Sequence, residues 1–202
     1  MNSRRIAIAC QGGGSQTAFT AGVLSAFFDA QVHRDHRIVA LSGTSGGAIC
    51  ASLAWYGLLK SARGDTTSIS QRIRDFWADI VAQTPAEIQL DTFLTELLRL
   101  IDRGLLPHVE MSPVSAVSQL FFSAVTALAP RKFFTDLRAS LETHIDFQEL
   151  AGLIDADSPV LLLGAADVLS GELKKFNSRE GEICVEAILA SSRQQQVTTL
   201  AG

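Results

Sequence analysis

Residues 38–51 read IVALSGTSGGAICA, and three kinds of local structure meet within them. The run from Arg37 to Leu41 reads as a strand, and the apolar sequence from Ala48 to Leu59, with Trp55 and Tyr56, continues as a helix. Between them, Gly43-x-Ser45-x-Gly47 has the spacing of a nucleophile elbow. There the serine occupies a strained turn, and small flanking residues let the backbone fold tightly beneath it. The Ser45 hydroxyl then projects from the C-terminal edge of the sheet. The helix opening at Gly46 directs its free N–H groups at the same place, where they stabilise negative charge on a tetrahedral intermediate. Ser45 is the candidate nucleophile, Gly43 and Gly47 are the small residues of the turn, and Gly46 is an oxyanion donor.

A second unit of the same kind precedes it. Residues 5–10 read as a buried strand that runs into Gln11-Gly12-Gly13-Gly14-Ser15, and residues 16–30 form a helix with Phe19, Val23, Ala26 and Phe27 on one face. A turn over 31–36 leads back to the second strand, and the connection is long enough for a right-handed parallel crossover. Gly12, Gly13 and Gly14 end their strand at the same sheet edge as Ser45, so their N–H groups supply further oxyanion donors with no side chains in the way. Two nucleotide readings fail. Gly12-x-Gly14-x-x-Thr17 lacks the last glycine of the dinucleotide fingerprint, and Ser42 and Gly43 stand where an acid would meet a ribose. No lysine follows the glycines at phosphate-loop spacing.

The pattern beyond residue 60 is helical and then returns to strand. Residues 61–67 are small and polar; 69–82, 91–102, 114–129 and 134–144 read as helices, punctuated by Pro85, Pro107, Pro113 and Pro130. Residues 159–168 read as a strand with a continuous apolar run from Val160 to Leu163, Ser170-Gly171 turns the chain into 173–177, and a short helix follows over 182–191. Residues 193–202 change character, with three consecutive glutamines and no acid. The expected fold is an α/β parallel-sheet core with helices on both faces and a helical insertion.

Composition narrows the class of partner. The chain has 202 residues, 47% of them apolar, enough for a sizeable core. Its net charge of −4 argues against nucleic acid, whose binding rests on phosphate neutralisation. Cys10, Cys50 and Cys184 lie far apart in apolar stretches, so neither a disulfide framework nor a metal site is expected, and a reducing, cytoplasmic setting fits. The apolar run from Ile6 to Cys10 is too short for a signal peptide. Residues 111–130 carry no charge, but Ser112, Pro113, Ser115, Ser118, Gln119, Ser123 and Thr126 interrupt them. Val114, Val117, Phe121, Ala124, Val125 and Leu128 make one helical stripe there, which implies a buried or interfacial helix. With an acidic chain, peripheral membrane contact would rest on an apolar patch, for which Phe121 and Phe122 are the candidates.

The two glycine motifs together resemble the patatin-like phospholipase family. The stretches AIACQGGGSQTAFTAGVL (7–24) and IVALSGTSGGAICA (38–51) carry the likeness most specifically, and 162–178 and 187–192 resemble the family's central hairpin and the helix after it. The resemblance runs to about Ser192. It implies a patatin-like domain over 1–192, with the oxyanion loop and elbow in 1–60, the helical insertion in 61–158, the late hairpin and helix in 159–192, and an atypical tail over 193–202. It implies hydrolysis of fatty-acyl esters in lipids by a serine and an aspartate, with no histidine, metal or cofactor. His33, His36, His108 and His144 indeed precede the late strands, where a histidine base would not be found.

The chain departs from the pattern at three places. Gln16 stands where the family often has a basic residue, and Thr17 where it has glycine, crowding the helix start. The family's DG[GA] aspartate is missing, because Ser192 is followed by RQQQVTTLAG. Asp167 is a weak substitute, since by resemblance it occupies the structural position before the hairpin turn, and Asp155 and Asp157 sit in a polar loop. Three readings follow: a lipid acyl hydrolase whose base lies beyond Ser192, a catalytically silent patatin-like module that binds lipid or a partner, and a small-molecule esterase in which another group such as Asp167 activates Ser45. Head-group preference and oligomeric state have no signal in the sequence.

Overall fold

The computed structural model of the chain describes residues 4–13, 17–105, 136–167 and 170–192. RRIAIAC forms β1 (Arg4–Cys10), followed by α1 (Thr17–Asp29) and the single turn α2 (Val32–Asp35). β2 (His36–Thr44) outlasts its apolar run, because Ser42, Gly43 and Thr44 still pair with neighbouring strands. Then come α3 (Gly46–Ala62), α4 (Ile69–Ile80), α5 (Pro85–Asp102), α6 (Leu137–His144) and α7 (Leu150–Leu153). The last described elements are β3 (Val160–Ala166), β4 (Leu173–Asn177), a 3-10 turn (Ser178–Glu180) and α8 (Val185–Ser192). The predicted helix over 114–129, with Phe121 and Phe122, lies outside the described residues, as do Gly14 and the tail.

The described residues fall into two compact units, 4–78 with 138–192 and 79–105 with 136–137. In the second, α5 begins six residues earlier than its apolar periodicity suggests. Thr84 caps it: the Thr84 hydroxyl accepts from Glu87 N–H at 3.2 Å, while the buried Glu87 carboxylate accepts from the N–H groups of Thr84 at 3.0 Å and Gln83 at 2.8 Å. This capping box, with Pro85 in the first turn, satisfies donors that the helix cannot.

The first unit holds a four-stranded sheet in the order β1-β2-β3-β4, with β1, β2 and β3 parallel and β4 antiparallel to β3. Strand order follows chain order, so both crossovers travel the same way, and right-handed connections put α1 and α3 on one side. β3 is central: Leu161, Leu163 and Ala165 are buried on one face, while Val160, Leu162 and Gly164 are half-buried on the other. β1 is an edge strand, not the buried strand its composition suggests. Arg4, Arg5, Ala7 and Ala9 are exposed, and among the described residues β1 pairs with β2 alone.

α3 is the core of this unit. It packs on β1, β2 and β3, and its residues from Gly47 to Gly57 are all buried, so it is apolar on every side rather than amphipathic. Trp55 is 1% exposed and donates its indole N–H to the Pro159 carbonyl at 2.8 Å. α1 packs against α3, but through Ala21, Leu24, Ser25 and Phe28. The expected face is turned outward, with Phe19 76% and Val23 52% exposed. Apolar side chains lie all round α1, so periodicity alone fits either face. The small residues of α3 select the one that seats Thr17 and Ala21.

Where α3 ends, a polar cluster replaces apolar packing. Tyr56 O–H donates to Glu149 Oε1, and Lys60 Nζ bonds both Glu149 oxygens at 3.0 and 3.1 Å. The Tyr56 bond, then Lys60, holds the Glu149 carboxyl below its ordinary value of 4.5; burial, then Glu149, pushes the Tyr56 phenol up to about 12. Glu149 therefore contributes stability that is present above pH 4.5 and lost as pH falls through its lower folded value. Tyr56 contributes stability present below its ordinary value of 10 and lost as pH rises toward 12. Melting curves against pH should show a plateau between those limits. Glu149→Gln should lower the plateau by about 1 kcal/mol, a Tm change of about 2–4 °C, and blunt both limbs. An unaltered pH profile would exclude the cluster as a source of stability.

Candidate active site

β1 and β2 run side by side into the C-terminal edge of the sheet, with Cys10 opposite Gly43. Two residues further on, Gly12 lies beside Ser45. A Cβ built on Gly12 would overlap the Thr44 carbonyl oxygen and stand 3.0 Å from Ser45 Cβ, so bare backbone of the glycine loop lies directly against the serine. Gly13 has φ 143°, a conformation that favours glycine. The loop is tied back to α1 where Thr20 donates to the Gln11 carbonyl at 3.2 Å.

Ser45 has φ 54° and ψ −133°, and with Gln31 it is one of two non-glycine residues with positive φ among those described. The glycines around it explain how so sharp a turn fits. A Cβ on Gly43 would overlap the Gly47 carbonyl, and one on Gly47 would overlap the Cys10 carbonyl, so the elbow, the first turn of α3 and the end of β1 meet backbone to backbone. Ala48 N–H donates to the Ser45 carbonyl at 2.9 Å, while Gly46 N–H falls among the first amides of α3, which have no acceptor inside the helix.

Thr17 does not obstruct this arrangement. A Cβ on Gly46 would stand 2.8 Å from Thr17 Cβ and Cγ2, so the missing side chain of Gly46 makes the space that Thr17 fills. Among the described residues the buried Thr17 hydroxyl has no hydrogen-bond partner. Beneath it, burial pushes the thiols of Cys10 and Cys50 up to about 11 and 12, keeping them protonated at neutral pH.

Two hydroxyls that the sequence reading passed over reach Ser45 from α8. Ser45 N–H donates to Ser191 Oγ at 3.1 Å, and Ser191 Oγ donates to the Gly164 carbonyl of β3 at 2.6 Å. Ser192 Oγ lies 3.3 Å from the Ser45 carbonyl and 2.7 Å from the Ile188 carbonyl. Ala190-Ser191-Ser192 at the end of an apolar helix was the available signal. A contact across 146 residues has no local signature.

The remaining candidates do not meet the serine. Asp167 follows β3 at the same sheet edge, since Thr44 pairs with Gly164, but it is exposed and accepts from Ser170 N–H at 3.3 Å within the hairpin turn. Asp155 and Asp157 are paired with Arg63 at 3.2 Å and Arg37 at 2.8 Å ahead of β3. His36 opens β2 and Ser45 follows its end, about 30 Å apart in extended chain. His33 packs on Phe28, with its pKa lowered by burial and Arg34, and His144 packs on Phe76. Among the described residues, no carboxylate or imidazole hydrogen-bonds the Ser45 hydroxyl. None of the described helices is long and apolar enough to cross a membrane.

No family model matches the chain, and no curated protein matches it. Two solved structures from Pseudomonas aeruginosa are similar to it. One is the heterodimeric ExoU–SpcU complex of the type III secretion system, at 17% identity and a TM-score of 0.41, covering 98% of this chain and 38% of that chain. The other is full-length SpcU in complex with full-length ExoU, at 16% identity and a TM-score of 0.37, covering 96% and 40%. The chain thus spans about two-fifths of the length of the chains it matches.

Proposed function

We propose that Ser45 is the nucleophile of an acyl-transfer site of patatin-like type, acting on fatty-acyl esters of lipids. The observation that carries this reading is the backbone of Ser45 itself. A residue with a Cβ held at φ 54° and ψ −133° costs about 1–3 kcal/mol, and glycine would adopt that conformation freely. Serine in that position, with the glycine loop against it, fits a site that needs the hydroxyl. In the reaction, Ser45 Oγ attacks the ester carbonyl, its proton passing to a base and on to the leaving alkoxide. The oxyanion is received by N–H groups of the glycine loop and Gly46, and water then releases the fatty acid.

The test is covalent labelling of the folded chain with a fluorophosphonate, read by peptide mass spectrometry. Label is expected on Ser45 and absent from Ser45→Ala. Ser45→Gly should also lose the label while raising Tm by about 2–4 °C through relief of strain. A folded chain whose Ser45 stays unlabelled would show that the residues of this chain do not activate Ser45, and would favour the silent module.

A second reading is favoured by the lack of a hydrogen-bonded base among the described residues. The chain would then be a silent module that binds lipid or a protein partner without turnover. It calls for vesicle or fatty-acid binding that is unchanged in Ser45→Ala, with no labelling and no product.

A further inference from the structure

We infer that Ser191 is a positioning residue for the nucleophile: its hydroxyl holds the Ser45 amide and thereby fixes the elbow, so that Ser45 N–H is withheld from the oxyanion and the donors are those of Gly46 and the glycine loop. The inference rests on the reading of Ser45 as nucleophile.

A serine hydroxyl has one proton to give and lone pairs to accept with. Ser191 uses both sides at once, donating to the Gly164 carbonyl at 2.6 Å and accepting from Ser45 N–H at 3.1 Å. The two bonds polarise each other in the same sense, which strengthens both. They also join three elements at one point. Gly164 of β3 pairs with Thr44, the residue before the nucleophile, so Ser191 ties together β3 beside the elbow, the nucleophile itself and the end of α8. A Cβ on Gly164 would stand 2.7 Å from Thr44 Cγ2, so the missing side chain lets β3 lie close against the residue that precedes the nucleophile.

Ser192 is a weaker anchor. Its single proton is directed to the Ile188 carbonyl at 2.7 Å rather than to the Ser45 carbonyl at 3.3 Å, which already accepts from Ala48 N–H at 2.9 Å. The fixing of Ser45 therefore falls to Ser191. Without it, a backbone held at positive φ loses the bond that orients its amide, and the hydroxyl it carries moves relative to the glycine loop. A displacement of about 1 Å at a nucleophile can cost a hundredfold in rate.

Two measurements on the whole chain test this, using Ser191→Cys, Ser191→Ala and Ser191→Thr. Amide hydrogen exchange read by NMR is expected to show a protected Ser45 N–H that exchanges at least about tenfold faster in Ser191→Cys and Ser191→Ala, and recovers in Ser191→Thr, which keeps the hydroxyl. The fluorophosphonate labelling rate should fall about tenfold to a hundredfold in the first two and recover in the third. Ser192→Ala should leave Ser45 exchange within about twofold of the parent. Ser191→Cys is nearly isosteric and a weak acceptor, so it decides the matter even if Ser191→Ala fails to fold. Unchanged Ser45 exchange in folded Ser191→Cys would overturn the inference, as would an equal loss in Ser191→Thr. A parent chain that never labels counts against an activated Ser45 in this chain and not against Ser191, and the exchange data still decide whether Ser191 anchors the amide.

Discussion

Gly47→Ala is expected to destabilise the fold by about 3 kcal/mol or more, a fall in Tm of about 10 °C, and Gly43→Ala by a similar amount. The cause is steric and has no flexible way out. The new methyl at position 47 would overlap the Cys10 carbonyl and approach within 2.8 Å of Gln11 C, all backbone at the end of an edge strand. At position 43 it would overlap the Gly47 carbonyl and stand 2.7 Å from Ala48 N, inside the first turn of the most buried helix. Relief requires separating α3 from β1 and β2, the contact on which the first unit is built. Gly22→Ala is the matched control: nothing lies within 4 Å of a Cβ there, on the exposed side of α1, so it should stabilise by about 0.5–1 kcal/mol. Thermal melts of the three variants decide the point. A Gly47→Ala protein that melts with the parent would mean that the elbow does not pack as described.

The elbow was legible because its constraints are local. Close backbone packing needs glycine at 43 and 47, a strand must end and a helix begin within a few residues, and each of these leaves a mark in sequence. The β3–β4 hairpin was legible for the same reason, with Leu173–Asn177 placed residue for residue. What escaped depends on which of two equivalent surfaces the rest of the chain covers. Phe19 and Val23 lie at helical spacing, yet so do Ala21, Leu24 and Phe28; the choice is made by α3, not by α1. The exposure of β1 follows from its place in the sheet order, which no strand encodes in itself. Thr84-x-x-Glu87 is a different case, since the capping box is written in the sequence and sets the start of α5 six residues ahead of its apolar periodicity. Ser191 is the opposite case. Its role arises only when α8 docks beside β3, and serine at the end of an apolar helix announces nothing by itself.

Gly12→Ala should separate chemistry from folding at this site. Gly12 is half-buried in a loop at the sheet edge, so the chain can yield there at a cost of about 1–3 kcal/mol, where at Gly47 it cannot. The yielding is what matters to function. The added methyl would overlap the Thr44 carbonyl and press on Ser45 Cβ at 3.0 Å, and the loop relieves this by moving off the serine. Its N–H groups then leave the position an oxyanion would occupy. Loss of one such donor costs about a hundredfold to a thousandfold in rate, far more than the modest loss of stability explains. Fluorophosphonate labelling of Ser45 in Gly12→Ala is therefore expected to slow by at least about a hundredfold in a protein that still melts cooperatively, whereas Gly22→Ala labels at the parent rate. Slowed labelling with retained melting would assign the glycine loop to the oxyanion. Labelling at the parent rate in folded Gly12→Ala would remove the loop from the site and leave the helix N-terminus at Gly46 as the acceptor of charge.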